Sequence, residues 1–245
     1  MALTLLSFTF MGFLVIGVPV AFAIGLSSIT AIMVEDLPLA VAFQQMTSGM
    51  NAFSFLAIPF FIFTGELMLY GGIADRIVAF AKSLVGHVRG GLGMSNVVAC
   101  TLFGGVSGSP VADVSAMGSV MIPMMKREGY HADYAVNVTT HAALVGALMP
   151  TSHNIIIYTL AAGGKVSIAA LIAAGVVPAV ILTLCNLAAA YFVARSRGYP
   201  AGTFPGWHIV LRSLVAAAPG LFVVVLIITG ILSGVFTATE SAAVA

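Results

Sequence analysis

Two short polar segments interrupt long apolar stretches of this 245-residue chain. The first is GGVSGSPVAD, residues 104–113, and the second is GALMPTSHN, residues 146–154. Hydroxyl and exposed carbonyl oxygens suit a hard cation, whereas the N–H groups at a helix N-terminus suit a carboxylate. Glycines let the backbone approach such ligands closely. The candidate binding residues are Gly105, Ser107, Gly108, Ser109, Gly146, Pro150, Thr151, Ser152 and Asn154.

The composition explains why such interruptions matter. The chain is 60% hydrophobic and only 7% charged, whereas about a quarter of a soluble domain is charged, so the sequence predicts an integral membrane protein. Unpaired backbone groups are costly in hydrocarbon, and a broken helix persists only where protein or a water-filled cavity surrounds the break. The alternative is tight helix packing, because Gly104 and Gly108 have GxxxG spacing. Two polar breaks, each beside a short apolar segment, favour a binding site made from discontinuous helices.

Several other classes of function are disfavoured. The net charge of +1 makes nucleic acid an improbable partner. Cys100 and Cys185 lie far apart in apolar segments, so they form neither a disulfide pattern nor a CxxC pair. His141 and His153 flank the second break, but their spacing is not that of zinc ligands. No cofactor is implied, and both histidines are interpreted as packing residues.

Two acidic residues lie within apolar segments. Asp113 is the only acid in the first polar segment, and Pro110 just before it suits the first turn of a helix. We expect Asp113 to orient the second half-helix and support the tip, in preference to contacting a ligand directly. Glu66 lies late in a predicted span, where its carboxylate can reach the membrane interface without a role in binding.

The elements that must position these residues are all predicted to be helices. A span needs about 20 apolar residues, and residues 3–34 form one long candidate with a kink at 17–19. Residues 39–50 are predicted to be amphipathic or interfacial, and residues 53–69 are predicted to form a second span. Residues 75–88 carry apolar side chains at helical spacing with basic residues on the other face, which predicts a helix lying along the membrane interface.

The polar segments themselves fall in the middle of the chain. Two half-spans of about 15 residues flank the first segment, and each is too short to cross the membrane. They therefore predict a hairpin that enters and leaves on one side. The re-entrant hairpin is predicted over residues 91–126 and a broken helix over 132–163. Two further spans follow at 169–194 and 207–233, and residues 236–245 start another helix, capped by Thr237 or Thr239.

The basic residues support this topology. If the hairpin starts and ends in the cytoplasm, Arg89, Lys126 and Arg127 all lie there, and Lys165 lies outside. Eight of the nine basic residues then face the cytoplasm, as the positive-inside rule requires. The other five on that side are Arg76, Lys82, Arg195, Arg197 and Arg212.

Four stretches of the sequence resemble the large membrane subunit of tripartite ATP-independent periplasmic (TRAP) transporters. They are PFFIFTGELMLYGG (59–72), LFGGVSGSPVADVSAMGSVMIPMMKREGY (102–130), GALMPTSHNIIIYTLAAGGKVSIAALIAAGVVPAVIL (146–182) and SGVFTATESAAVA (233–245). The resemblance covers most of the chain. Two positions depart from the family pattern, since Thr151 and Ala238 stand where a proline is common.

The resemblance implies an all-α, sodium-coupled elevator transporter with inverted repeats. Residues 107–109 would be the hairpin tip and residues 150–152 the break of the following helix, with Asp113 supporting the tip. Together they would form a sodium site and one wall of the substrate site. The sodium ligands would be Ser107, Ser109, Thr151 and Ser152.

The resemblance also implies the domain organisation and the partners. Residues 1–90 would form scaffold and arm helices, 91–165 transport-domain elements, and 166–235 further membrane helices. Residues 236–245 would begin a second repeat, whose remainder is the missing second half of the subunit. A small four-helix membrane subunit would brace the scaffold in the bacterial cytoplasmic (inner) membrane. A soluble periplasmic binding protein would deliver an organic acid, such as a C4-dicarboxylate or sialic acid.

Two alternatives stay open at this point. The sequence GVSG, residues 105–108, fits the GxSG pattern of rhomboid intramembrane proteases, with Ser107 as nucleophile and His141 or His153 as base. The surrounding residues fit the transporter hairpin better. The second alternative is a structural membrane subunit that binds partners and no solute.

Overall fold

The protein is built from helices throughout the part of the chain that the structure describes. A computed structural model describes residues 2–51, 53–163 and 165–245, and no strand occurs among them. Short 3-10 turns cover Phe53–Leu56 and Leu144–Leu148. The α-helices are α1 (Ala2–Val15), α2 (Val20–Val34), α3 (Leu39–Met50), α4 (Ala57–Tyr70), α5 (Ile73–Val85), α6 (Gly91–Ser107), α7 (Pro110–Arg127), α8 (Ala132–Ala143), α9 (His153–Ala161), α10 (Ile168–Ser196), α11 (Trp207–Leu232) and α12 (Ala238–Val244).

The first compact unit, Met1–Ala52, contains α1 to α3 and corrects one prediction. The hydroxyl oxygens of Thr9 in α1 and Thr30 in α2 lie 3.5 Å apart. In one continuous helix, residues separated by 21 positions would be about 31 Å apart. The prediction of a single kinked span over residues 3–34 was therefore wrong. The chain reverses here because Gly17 takes a left-handed conformation, with φ of 86°, and Pro19 interrupts helical hydrogen bonding.

The second unit, Phe53–Ala245, contains the predicted spans. Within the described residues, three helical segments are long and apolar enough to cross a membrane, namely Phe53–Tyr70, Ile168–Ser196 and Trp207–Leu232. A fourth crossing is provided if the bent pair Ala132–Leu148 and His153–Ala161 counts as one span, with 47° between its halves. The broken helix and the later spans therefore occur where the sequence predicted them.

Helices α6 and α7 form the predicted hairpin, and its two outer ends lie at one end of the unit. Near these ends, the backbone N–H of Gly90 donates to the carbonyl of Pro200 at 3.1 Å, and Lys82 pairs with Glu128 at 3.3 Å. The same end holds the ion pair of Arg197 with Asp133, which fits the grouping of basic residues that the sequence suggested.

Helix α5 packs its apolar face on protein. Ile77, Val78 and Ala81 are buried in the core of this unit, and the side chain of Ile77 approaches Gly220 of α11. The apolar face of α5 is therefore covered by neighbouring helices. The orientation of α5 along the membrane interface stays a prediction.

Helix α12 begins as the sequence predicted. The hydroxyl of Thr237 accepts a hydrogen bond from the N–H of Glu240, while the Glu240 carboxylate accepts from the N–H of Thr237. This reciprocal pair is a capping box, which satisfies backbone donors at a helix start. Of the two candidates, Thr237 is thus the N-cap. Ala238 and Ala242 then pack against Ala57 and Phe61 of α4.

Candidate functional site

The tip of the hairpin is a tight reversal between α6 and α7. Helix α6 ends at Ser107, and Gly108 follows in the left-handed region with φ of 59°. Ser109 is the N-cap of α7, and its hydroxyl accepts a hydrogen bond from the N–H of Ala112 at 3.5 Å. Pro110, which lacks an N–H, occupies the first turn as its type favours.

The two polar segments meet at Gly108. A Cβ atom added to Gly108 would lie 2.6 Å from the backbone nitrogen of Ser152, which is too close for any side chain. The hairpin tip therefore packs directly on the break between α8 and α9. On the other side of the tip, the Cα atom of Ser107 approaches Gly65 of α4, where an added Cβ would lie 3.5 Å away.

The break is formed by Pro150, Thr151 and Ser152, all of which are buried. Ser152 is the N-cap of α9, and its hydroxyl accepts a hydrogen bond from the N–H of Asn154 at 3.3 Å. The hydroxyl of Thr151 donates to the carbonyl of Gly105 at 3.3 Å. The residue that stands in place of a proline thus links the break to the last turn of α6.

Asp113 ties the tip together from within. Its side chain is fully buried, and Oδ1 accepts a hydrogen bond from the hydroxyl of Ser107. No donor among the described residues contacts Oδ2, which lies against Gly104 and Gly146. A Cβ atom on Gly104 would be 2.8 Å from Oδ2, so both glycines make room for the carboxylate. This geometry is that of a residue that positions Ser107.

The helix ends give the site two kinds of electrostatic character. The last turn of α6 presents carbonyl oxygens, including those of Gly104 and Gly105, and the C-terminal end of a helix favours a cation. Helices α7 and α9 both begin at the same place, and their N-terminal N–H groups favour an anion. Hydroxyl and carbonyl oxygens beside a buried carboxylate fit sodium, which takes oxygen ligands.

A cleft of about 310 Å³ opens beside the tip, between α4, the hairpin and α9. Of the candidate residues, Ser107 and Ser109 line it. Pro150, Thr151 and Ser152 are buried away from its lining, together with Gly105, Gly108 and Gly146. Asn154 is exposed and contributes only its backbone N–H to the cap of α9.

Three polar residues that line this cleft were assigned no binding role from the sequence. These residues are Glu66, Ser115 and His153. On α4, Glu66 belongs to a face that includes Ile62 and Leu69 at helical spacing, and this periodicity was visible in the sequence. What the pattern did not reveal is that this face lies against the hairpin.

The geometry offers no support for the protease alternative. In the described structure, Ser107 donates to Asp113 and neither candidate histidine is hydrogen-bonded to it. A ring nitrogen of His141 instead pairs with the carbonyl of Asn137, one turn earlier on α8, at 2.8 Å. A serine nucleophile needs its base within hydrogen-bonding reach.

Comparison with known proteins decides the family. Residues 7–245 match the family described as "Tripartite ATP-independent periplasmic transporter, DctM component". The chain belongs to this family. The resemblance found in the sequence is thereby confirmed, and the chain is an all-α protein of the bacterial inner membrane.

Named relatives cover nearly all of the chain. It is 40% identical over 247 residues to the C4-dicarboxylate TRAP transporter large permease protein DctM of Vibrio cholerae, covering 100% of this chain and 54% of the relative. It is 39% identical over 238 residues to the sialic acid TRAP transporter large permease protein SiaM of the same organism, covering 97% and 55%. The uncharacterized protein YgiK of Salmonella typhimurium is 40% identical over 235 residues, covering 95% and 54%. The chain spans about half the length of these relatives.

Since the family consists of transporter subunits, the chain is not an enzyme, and the protease alternative is set aside.

Proposed function

We propose that this chain forms the first half of the large permease subunit of a sodium-coupled transporter for an organic acid. The observation that carries the proposal is the contact of the hairpin tip, at Gly108, with the break at Thr151 and Ser152. Two interrupted helices that meet in the middle of an apolar bundle bring backbone and hydroxyl groups together where a bound solute can use them.

The proposed sodium site lies at the carbonyl ends of this arrangement. Ser107, Ser109, Thr151 and Ser152 would supply hydroxyl or backbone oxygens, and the last turn of α6 would supply carbonyls. Support comes from the burial of Thr151 and Ser152 and from the hydrogen bond that joins Thr151 to Gly105. Asp113 would hold Ser107 in place and add negative charge nearby.

The proposed substrate is a carboxylate. The N-termini of α7 and α9 open toward the cleft, and Ser109 and His153 line it close to those ends. Two of the relatives are named for C4-dicarboxylate and for sialic acid, both of which carry a carboxylate. An anion at the helix N-termini and a cation at the neighbouring carbonyls would bind cooperatively, because each lowers the electrostatic cost of the other.

The proposed mechanism and partners rest on the resemblance to this family. Residues 91–165 would move as part of a transport domain against a scaffold in an elevator mechanism. A small four-helix membrane subunit would brace that scaffold, and a periplasmic binding protein would deliver the organic acid. The second half of the permease would complete the site from the opposite repeat.

Substitution of the proposed ligands in the complete transporter tests this function. We expect Ser107→Ala and Ser152→Ala each to raise the sodium concentration for half-maximal uptake into proteoliposomes by about tenfold to a hundredfold. Each substitution removes one of the oxygen atoms that would coordinate the sodium ion. Ser119→Ala is the matched control, since Ser119 lies on α7 and its hydroxyl bonds only the carbonyl of Ala116. Unchanged sodium dependence in both site variants would remove these residues as ligands. Absence of any sodium-dependent thermal stabilisation would favour the structural-subunit alternative.

A further inference from the structure

The start of α11 carries an exposed aromatic and basic cluster that the transport site does not use. Trp207, the first residue of the helix, is 71% exposed, and its ring contacts that of Phe204 edge-on at 5.5 Å. One turn further, a shallow open groove of about 470 Å³ follows the helix surface. The groove is lined by His208, Leu211, Arg212 and Val215.

Arg212 has no negative partner among the residues that the structure describes. The sequence contains no Asp or Glu between Asp133 and Glu240, so α11 and the loop before it have no acidic residue. In the described structure, the ion pairs join Lys82 to Glu128 and Arg197 to Asp133, and the guanidinium of Arg212 has neither an ion pair nor a hydrogen bond. Yet Arg212 lies in the second turn of a helix long and apolar enough to span the membrane. An arginine so close to hydrocarbon is stabilised when its head group reaches an anion at the interface.

Toward the C-terminus of α11 from Arg212, the same helix face is apolar and exposed. Leu211, Val215 and Phe222 are all more than half exposed. Leu211 and Val215 line the groove, and helical spacing from Val215 places Phe222 on the same face of α11. A cationic group above a strip of exposed apolar side chains matches the two parts of a phospholipid, a phosphate head and an acyl chain. Trp207 and Phe204 lie at the start of the span, where aromatic side chains favour the headgroup region.

The aromatic and basic cluster lies at an end of the unit that suits an anionic phospholipid head group. Residues just before α11 lie at the end of the unit that holds the outer ends of the hairpin, since Pro200 bonds Gly90 there. This end is the basic one, which the positive-inside rule predicts to be cytoplasmic, and basic sites on that side of a membrane protein attract anionic lipids. A carboxylate of a protein partner is a second group that could form an ion pair with Arg212, and lipid-binding measurements distinguish it from a phospholipid.

We propose that Arg212 and His208 bind the phosphodiester of an anionic phospholipid whose acyl chain lies along Leu211, Val215 and Phe222. The guanidinium donates to the phosphate oxygens, and the imidazole supplies a further contact one turn above it. This site is separate from the hairpin tip and does not depend on the proposed transport function.

Lipid binding to the complete transporter tests the proposal. The protein, purified in mild detergent, is titrated with palmitoyl-oleoyl phosphatidylglycerol or with the matched phosphatidylcholine, and bound lipid is counted by native mass spectrometry. We expect phosphatidylglycerol to bind more tightly, and Arg212→Gln to weaken that binding by about fivefold, the effect of one basic residue near an anionic surface. Arg212→Lys, which keeps the charge, should retain most of the affinity. This second variant separates loss of charge from misfolding.

Three controls test whether the lipid binds at Arg212 and whether its acyl chain is required. Arg195→Gln removes an exposed arginine at the same end of the unit, in the last turn of α10, and should change binding much less. Inorganic phosphate and glycerophosphoglycerol, which lack acyl chains, should not displace the lipid at equal concentration. The proposal is overturned if Arg195→Gln is as harmful as Arg212→Gln, if the two lipids bind equally, or if the chain-free phosphates compete as well as the lipid. It is also overturned if a co-purifying protein subunit abolishes lipid binding while making a cross-link to position 212.

Discussion

The hydroxyl of Ser107 donates a hydrogen bond to the buried carboxylate of Asp113, so the last residue of α6 is held by the first turn of α7. This bond crosses the hairpin tip and leaves the second oxygen of Asp113 against two glycine backbones. A change in the orientation of the Ser107 side chain would therefore leave the buried carboxyl group of Asp113 without this hydrogen-bond donor. This hydrogen bond joins the two helices of the hairpin at its tip.

Removal of the Asp113 carboxylate should destabilise the tip. Asp113→Ala leaves the buried Ser107 hydroxyl without its acceptor, and we expect a loss of about 1–3 kcal/mol in stability together with weaker sodium dependence. Thermal unfolding of the complete transporter, with and without sodium, measures both effects. Asp75→Ala is the control, because Asp75 is an exposed acid in the first turn of α5. Equal unfolding temperatures for the two variants would show that the Ser107 contact contributes nothing.

A side chain at Gly108 should separate the hairpin tip from the break. Gly108→Ala introduces left-handed strain of about 1–2 kcal/mol and also a collision with the backbone of Thr151 and Ser152. Gly129→Ala is a matched control, since Gly129 has φ of 85° and nothing within 4 Å of an added Cβ.

We therefore expect Gly108→Ala to be more destabilising than Gly129→Ala in thermal unfolding, and to abolish sodium-dependent stabilisation. The difference between the two glycine variants isolates the collision from the strain. Should both variants unfold alike and respond to sodium alike, the packing of the tip on the break would be incorrect.

Neutralisation of Glu66 should strengthen binding of an anionic substrate. Glu66 lines the cleft into which the N-termini of α7 and α9 open, and its negative charge opposes that of a carboxylate. If the proposed function holds, Glu66→Gln lowers the half-saturating concentration of the organic acid by about two- to fivefold at low salt, and by less at high salt. Uptake at several salt concentrations measures this effect. Asp75→Asn, outside the cleft lining, should have no such effect, and an unchanged or weaker affinity in Glu66→Gln would argue against an anion in this cleft.

The topology predicts which residues share a side of the membrane. Positions 89 and 127 lie at the same end of the unit, whereas the broken helix and α10 place Lys165 at the other. We expect cysteines at 89 and 127 to be protected from a membrane-impermeant reagent added to intact cells, and a cysteine at 165 to be labelled. The exposed Cys185 is first replaced by serine, while Cys100 is buried. Labelling of 89 and 127 from opposite sides would refute the hairpin.

Local sequence determined much of the fold. The spans α10 and α11 were predicted because length and hydropathy suffice to identify a membrane helix. The hairpin tip was predicted because a polar segment lies between two short apolar half-spans, and the structure places the turn at Gly108. Thr237 or Thr239 was predicted to cap α12 because threonine is favoured at helix N-caps, and the structure selects Thr237. The two polar breaks themselves suggested one shared site, the resemblance to a family supported that assignment, and the two breaks do lie in contact.

Tertiary structure decided the features that depend on how helices face one another. One kinked span was predicted where α1 and α2 in fact fold back on each other, because a glycine before a proline permits a kink as readily as a reversal. The sequence also did not reveal that Asp113 lies between Gly104 and Gly146, or that Glu66 faces the hairpin. These contacts join residues on different helices, and they depend on the rotation of each helix about its axis. That rotation is set by packing against several neighbours at once, whereas hydropathy and capping preferences act within a turn or two of the same helix.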